Sequence, residues 1–137
     1  MKIWRTTAIS VFMLWSVGAW AGDDIPADYQ AAIDTANVPA YPGSVFCTGD
    51  PASGMRLATS DSVETVRKWY RSQLPDWNTY EGYGSWILHA GPADAGMTDI
   101  FSSFQVSITE NPELPNWHAL SSDMTTEIVI ALMEPPE

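Results

Sequence analysis

Cysteine and positive charge are both scarce in this sequence. Its 137 residues include one cysteine, Cys47, and six basic side chains against 17 acidic ones, for a formal net charge of −11. A single cysteine excludes an intramolecular disulfide, so the fold must be held by packing. The negative charge opposes binding to nucleic acids and to anionic membranes, because both carry charge of the same sign. A protein partner of complementary charge would be basic.

Residue patterns typical of catalytic and metal sites are also missing. The two histidines, His89 and His118, have no H-x-x-x-H spacing, and no loop has the D-x-D-x-D-G pattern of a calcium site. Residues 82–86 are rich in glycine but lack the G-x-S-x-G of a serine hydrolase. We therefore expect a non-enzymatic protein without cofactor or metal. The alternative is a cell-envelope enzyme that uses Cys47 with a histidine, which requires the two side chains within hydrogen-bond reach.

Residues 1–21 have the order of a secretory signal peptide. A short basic start precedes an apolar run over residues 8–19, and the small residues of A-W-A suit cleavage before Gly22. The run is shorter than the roughly 20 apolar residues of a membrane span. We expect residues 22–137 to form a single domain in the periplasm, or secreted, with no membrane insertion after cleavage. Cleavage would remove two basic residues and no acid, which makes the domain still more acidic.

The segment from Asp61 to Leu74 has the strongest helical pattern. Asp61 and Glu64 have the spacing of a capping box, and Pro75 predicts that the helix ends at Leu74. Apolar residues repeat every three or four positions and form one face for a core. These residues are Val63, Val66, Tyr70 and Leu74.

Shorter elements surround this helix. Hydrophobic periodicity predicts a first helix over 27–36 and strands over 44–48, 55–59, 77–83, 85–90, 104–109 and 128–132. Residues 91–98 and 110–124 are expected to be loops. The predicted fold class is α+β, with an antiparallel sheet of four to six strands and one main helix packed on one face.

Residues 38–77 resemble an uncharacterised domain of bacterial secreted proteins and lipoproteins. In that family a YPG turn leads to a hairpin, a helix of the form D-S-x-E-x-V-x-x-[FW]-Y-R-x-x-L and a strand that begins with tryptophan. The resemblance implies a similar fold and implies nothing about chemistry. The matching positions here are residues 38–43, 57–59, 61–64 and 69–71, with Val66, Leu74 and Trp77.

Aromatic residues are concentrated over residues 77–86. If this segment were one strand, Trp77 and Tyr83 would share one face while Tyr80 and Trp86 shared the other. One pair would then fill the core, and the other would be partly exposed as anchors for a partner. Trp117, in the 110–124 segment, is either a further anchor or a plug for the end of the sheet.

We therefore expect a secreted periplasmic module that binds a protein with a basic surface. An inhibitor or immunity protein against an envelope-targeting toxin or hydrolase is the specific form, and an envelope-assembly accessory protein is an alternative. The expected binding residues combine aromatic anchors with acidic side chains at the rim. They are Trp117, Tyr80, Tyr83, Glu110, Glu113 and Asp123.

Two further residue groups have simple structural explanations. Cys47 stands beside Phe46 in an expected strand, which favours a buried structural thiol. The basic residues left after cleavage all lie in residues 56–71, and three of them suit an exposed helix face. An anion-binding role for these three requires Arg56 to converge on them. The three are Arg67, Lys68 and Arg71.

Overall fold

The computed structural model describes residues 25–50 and 53–132, and the predicted signal peptide at 1–21 lies outside them. Within the described residues, six strands form one antiparallel sheet in the order β1-β2-β6-β5-β4-β3, accompanied by four helices. This architecture confirms the α+β class. In chain order the elements are α1 (Ala27–Ala36), β1 (Val45–Asp50), β2 (Gly54–Thr59), α2 (Val63–Gln73), β3 (Asn78–Gly82), β4 (Ser85–His89), α3 (Met97–Phe101), β5 (Gln105–Glu110), α4 (Leu114–His118) and β6 (Thr126–Ala131).

The two faces of the sheet differ in what covers them. On one side, here called the covered face, Leu57, Ile108 and Ile128 pack with Val66 and Tyr70 of α2 in the main core. Side chains from α1 extend this core, so the two longer helices close the face. Neighbouring positions on the strands point to the other side, here called the open face. The open face includes Arg56, Ile87, Ser107 and Val129.

Helix α2 begins one residue later than its capping-box pattern indicates. Ser62, and not Asp61, is the N-cap, and its hydroxyl accepts a hydrogen bond from the Thr65 amide at 3.2 Å. The carboxylate of Asp61 instead accepts a hydrogen bond from the Tyr41 hydroxyl, and its carbonyl accepts one from the Thr126 hydroxyl. The predicted cap was wrong because a tertiary contact holds the aspartate away from the helix.

The residues of the YPG turn and of α2 form one aromatic cluster. The Tyr41 ring lies edge-on to Trp69, with ring centroids 5.3 Å apart, and the Tyr70 hydroxyl donates to the Pro39 carbonyl at 2.9 Å. Burial, followed by the hydrogen bond to Asp61, raises the pKa of Tyr41 to about 12. The spacing of these residues in the sequence therefore serves packing of the turn against the helix.

Two short helices were not predicted: α4 lies within the expected loop 110–124, and α3 begins inside the expected loop 91–98 and extends beyond it. Helix α3 lies within the segment that joins β4 to β5, and α4 lies within the segment that joins β5 to β6. Because neighbouring strands are antiparallel, the two segments lie at opposite ends of the sheet. The end that holds α4 also holds the β3–β4 turn and is called the Tyr83 end. The other is called the strap end.

Candidate functional site

The turn between β3 and β4 places a tyrosine in an unfavourable backbone conformation. Tyr83 has φ +52° and Gly84 has φ +76°, and together they form a two-residue hairpin loop with positive φ at both positions. Such loops strongly prefer Asn-Gly, because a residue with a bulky Cβ substituent is strained there. Tyr83 is 90% exposed, so packing of its side chain does not offset the backbone strain.

This turn also overturns the expected grouping of the aromatic residues. Tyr80 pairs with Ile87 on the open face, whereas Trp86 pairs with Glu81 on the covered face and is only 4% exposed. A two-residue turn reverses the odd–even alternation between the two strands, so Tyr80 and Trp86 lie on opposite faces. Trp77 precedes β3 and packs against the core rather than sharing a face with Tyr83.

Tyr80, another predicted anchor, is less exposed than Tyr83 and Trp117. Its side chain is half-buried and folds back along its own strand over Gly82. The Tyr80 hydroxyl lies 2.6 Å from the point where a Cβ on Gly82 would stand, so a larger residue at position 82 would displace the end of this side chain. The structure therefore gives Tyr80 a packing contact within the hairpin.

Trp117 stands on the exposed side of α4. Leu114 and Pro115 on the same short helix are buried and attach it to the sheet, and Ala119 ends it in a left-handed conformation. The Trp117 side chain is 62% exposed, so it does not plug the end of the sheet. Topology thus brings Trp117 and Tyr83 to the same end of the molecule.

The three predicted rim carboxylates flank this helix in the sequence. Glu110 ends β5, Glu113 immediately precedes α4, and Asp123 lies just before β6. All three are exposed, and none forms an ion pair within the described residues. The Tyr83 end therefore combines two exposed aromatic rings with carboxylates that lack a cationic partner.

Of the three basic residues of α2, Arg67 contacts the sheet, whereas Lys68 and Arg71 lie on the exposed face of the helix as expected. Arg67 donates from Nε and Nη2 to the Ile108 carbonyl at 3.2 and 2.8 Å, and its guanidinium lies 5.0 Å from the ring centroid of Trp86. Burial lowers the pKa of Arg67. The β4–β5 pairing stops at Ile87 and Ser107, and Arg67 binds the carbonyl of the next residue along β5.

Arg56 does not join these helix residues. It lies on the open face, where its Nε is 2.6 Å from Oε2 of Glu127, while α2 packs on the covered face. The anion-binding arrangement required Arg56 to converge on the basic residues of α2. That condition is not met, because the sheet separates the two groups.

Cys47 occupies a bulge in β1 between Phe46 and Thr48. It is half-buried rather than fully buried, its thiol contacts the Val45 carbonyl at 3.8 Å, and burial raises its pKa. A raised thiol pKa disfavours the thiolate that a nucleophile needs. His89 is in β4, and three strands separate it from β1, which corresponds to about 19 Å at the usual strand spacing. The structure does not bring Cys47 and His89 together.

The described residues hold no group of three or more histidine, cysteine, aspartate or glutamate side chains that could bind a metal ion. Within the same residues, no helix is long and apolar enough to cross a membrane. Comparisons with protein-family models, with curated proteins and with solved structures gave no match. The resemblance of residues 38–77 to a bacterial envelope domain therefore stays a hypothesis.

The open face carries a groove that the sequence analysis missed. Its volume is about 530 Å³, and its lining includes Met97 and Phe101 of α3 above Ile87, Ser107 and Val129 of the sheet. Phe101 is 51% exposed. The groove depends on α3, whose first two residues were expected to be loop and whose last three were assigned to no element, so no sequence pattern indicated it.

Proposed function

We propose that this protein is a binding module of the bacterial envelope that recognises a basic protein surface through its Tyr83 end. The observation that carries the proposal is Tyr83 itself. A 90% exposed tyrosine occupies a left-handed turn position that asparagine or glycine would fill with less strain. Residues that break a local folding rule without a packing benefit are expected at functional sites.

The surroundings of Tyr83 support a basic partner. Trp117 provides a second exposed ring at the same end, and aromatic faces attract lysine and arginine side chains. Glu110, Glu113 and Asp123 add exposed negative charge, which would steer a basic partner toward this end. The net charge of −11 makes the electrostatic field around the whole chain negative as well, which also favours a basic partner.

The specific form we propose is an inhibitor or immunity protein that shields the envelope from a toxin or hydrolase. The signal-peptide pattern at residues 1–21 and the absence of a catalytic motif support a secreted protein that acts by binding. An envelope-assembly accessory protein would use the same surface on a different partner. The neighbouring reading frames distinguish these forms, since an adjacent secreted toxin or hydrolase favours the immunity role.

The test begins with capture of partners from periplasmic extract and continues with measured affinities. We expect Trp117→Ala and Tyr83→Ala each to weaken binding at least about fivefold, which corresponds to about 1 kcal/mol, without unfolding the protein. Phe101→Ala is the matched control, because it removes an exposed ring at the strap end. Unchanged affinity in both test variants, or an equal loss in the control, would refute the proposed surface.

A further inference from the structure

Three uncharged polar side chains form a row across neighbouring strands at the strap end. Asn78 of β3 stands opposite His89 of β4, and His89 stands opposite Gln105 of β5. Their positions place all three on the open face. Residues 90–104, here called the strap, join β4 to β5 and pass over this row.

The outer two side chains of the row hold the strap down. The Asn78 amide donates to the Gly91 carbonyl at 2.9 Å, and the Gln105 amide donates to the Ile100 carbonyl at 3.0 Å. A backbone hydrogen bond from Ala90 to Phe104 closes the base of the strap at 3.0 Å. Ile100, near the centre of the strap, has its own side chain fully buried. The strap is therefore attached at its base, at both sides and at its centre.

The middle side chain, His89, lacks such a partner. It is 1% exposed, and its Nδ1 has no hydrogen-bond partner within the described residues. A Cβ placed on Gly91 would stand 3.2 Å from this Nδ1 and 2.9 Å from the Ser103 hydroxyl, so the imidazole lies directly against the strap. The row thus contains one titratable group, and that group is buried.

None of the charged side chains among residues 25–50 and 53–132 is positioned to compensate that proton, since burial alone shifts the pKa of His89. The neighbours of His89 on β3 and β5 are the neutral amides of Asn78 and Gln105. The strap contributes Gly91 and Ser103, and the Ser103 hydroxyl donates to the backbone carbonyl of residue 99. The strap's acidic side chains, Asp94 and Asp99, are exposed to solvent. An imidazolium at this position would be an unpaired buried charge, which is strongly unfavourable.

We propose that the strap is an acid-released cover, in which protonation of His89 lifts residues 90–104 off the open face. Release lets water reach the imidazolium and exposes Ile100. It also removes Met97 and Phe101 from the wall of the open-face groove. The device is independent of the Tyr83 end, because it lies at the opposite end of the sheet.

The direction of the pH dependence follows from burial. Burial lowers the pKa of His89 in the closed state, while an opened strap returns the imidazole to its ordinary pKa near 6.5. The open state therefore binds more protons, and closure weakens as the pH falls below about 6.5. If the closed state stays neutral, opening at about pH 5 is favoured up to ~30-fold over about pH 7.5.

Hydrogen exchange read by mass spectrometry tests this device. After correction for intrinsic rates, we expect strap amides to lose up to ~30-fold protection between about pH 7.5 and pH 5, while α2 amides keep theirs. His89→Gln should abolish the acid response of the strap. His118→Gln is the matched control, because it removes the histidine of α4 and should respond like the wild type.

Two results would overturn the proposal. One is an acid response that persists in His89→Gln, and the other is equal loss of protection in the strap and α2, which would indicate global unfolding. If His89→Gln does not fold, an NMR titration of the wild type replaces it. The His89 imidazole and the strap amides must then change with the same midpoint. Titration of His89 without any change in the strap would equally refute the device.

Discussion

The two segments that flank β5 share a plan and differ in how they meet the sheet. Each contains a five-residue helix, α3 in the strap and α4 in the β5–β6 connection. Each helix buries an aliphatic side chain, Ile100 in one and Leu114 in the other. Each also exposes one aromatic ring, Phe101 or Trp117. The apolar attachment of the two segments is thus equivalent.

The strap and the β5–β6 connection differ in how their polar groups are used. The strap lies over neutral amides that donate to its carbonyls, so it covers part of the open face. The β5–β6 connection is closed by a backbone hydrogen bond from Asn111 to Thr125, and its carboxylates Glu113 and Asp123 extend into solvent. One segment is therefore suited to cover the sheet, whereas the other is suited to present side chains to a partner.

The largest expected effect on stability comes from the buried residue of α4, in contrast to the exposed residue of the same helix. Leu114→Ala should destabilise the protein by about 2–5 kcal/mol, because Leu114 is fully buried and its truncation leaves a cavity. Trp117→Ala should change stability by less than about 1 kcal/mol, because most of its ring is already in water. Urea denaturation of both variants measures the two values. A similar loss in both would show that Trp117 is part of the core.

A smaller loss of stability is expected when the hydrogen bond between Gln105 and the strap is removed. Gln105→Leu replaces the amide by an apolar side chain of similar size and leaves the Ile100 carbonyl without its donor, which should cost about 1–3 kcal/mol. The loss should appear first as faster hydrogen exchange in residues 90–104. Ser107→Ala is the control on the same face of β5, and it should leave strap exchange unchanged. Uniformly faster exchange across the sheet would contradict the idea that Gln105 acts on the strap.

The sheet and the main helix were predictable because their patterns are long and regular. Strand alternation in β5 and β6, and the i, i+3, i+4 repeat of α2, identify the buried faces directly. Helices α3 and α4 have only five residues, and neither has a side-chain cap. Such short segments carry too little periodicity for a sequence pattern to indicate helix.

The candidate site was predictable in part. The concentration of aromatic residues over 77–86 indicated Tyr83, and a tryptophan in a polar connection indicated Trp117; the structure establishes that both are exposed. Whether Tyr80 and Trp86 share a face depended on the length of the turn between them, which sets the faces of all β4 residues relative to β3. The row that includes His89 depends on the pairing of three strands. No local pattern reports that pairing, so a single sequence could not indicate the row.

The smallest expected effect concerns the turn that singles out Tyr83. Tyr83→Asn should stabilise the protein by up to about 1 kcal/mol, because asparagine tolerates the left-handed conformation better than tyrosine. The same variant should weaken partner binding, so stability and affinity would move in opposite directions. Tyr83→Phe is the control, since it keeps the backbone preference and should leave the free energy of unfolding unchanged. A loss of stability in Tyr83→Asn would mean that the ring supports folding, and the strain at this turn would no longer indicate a binding role.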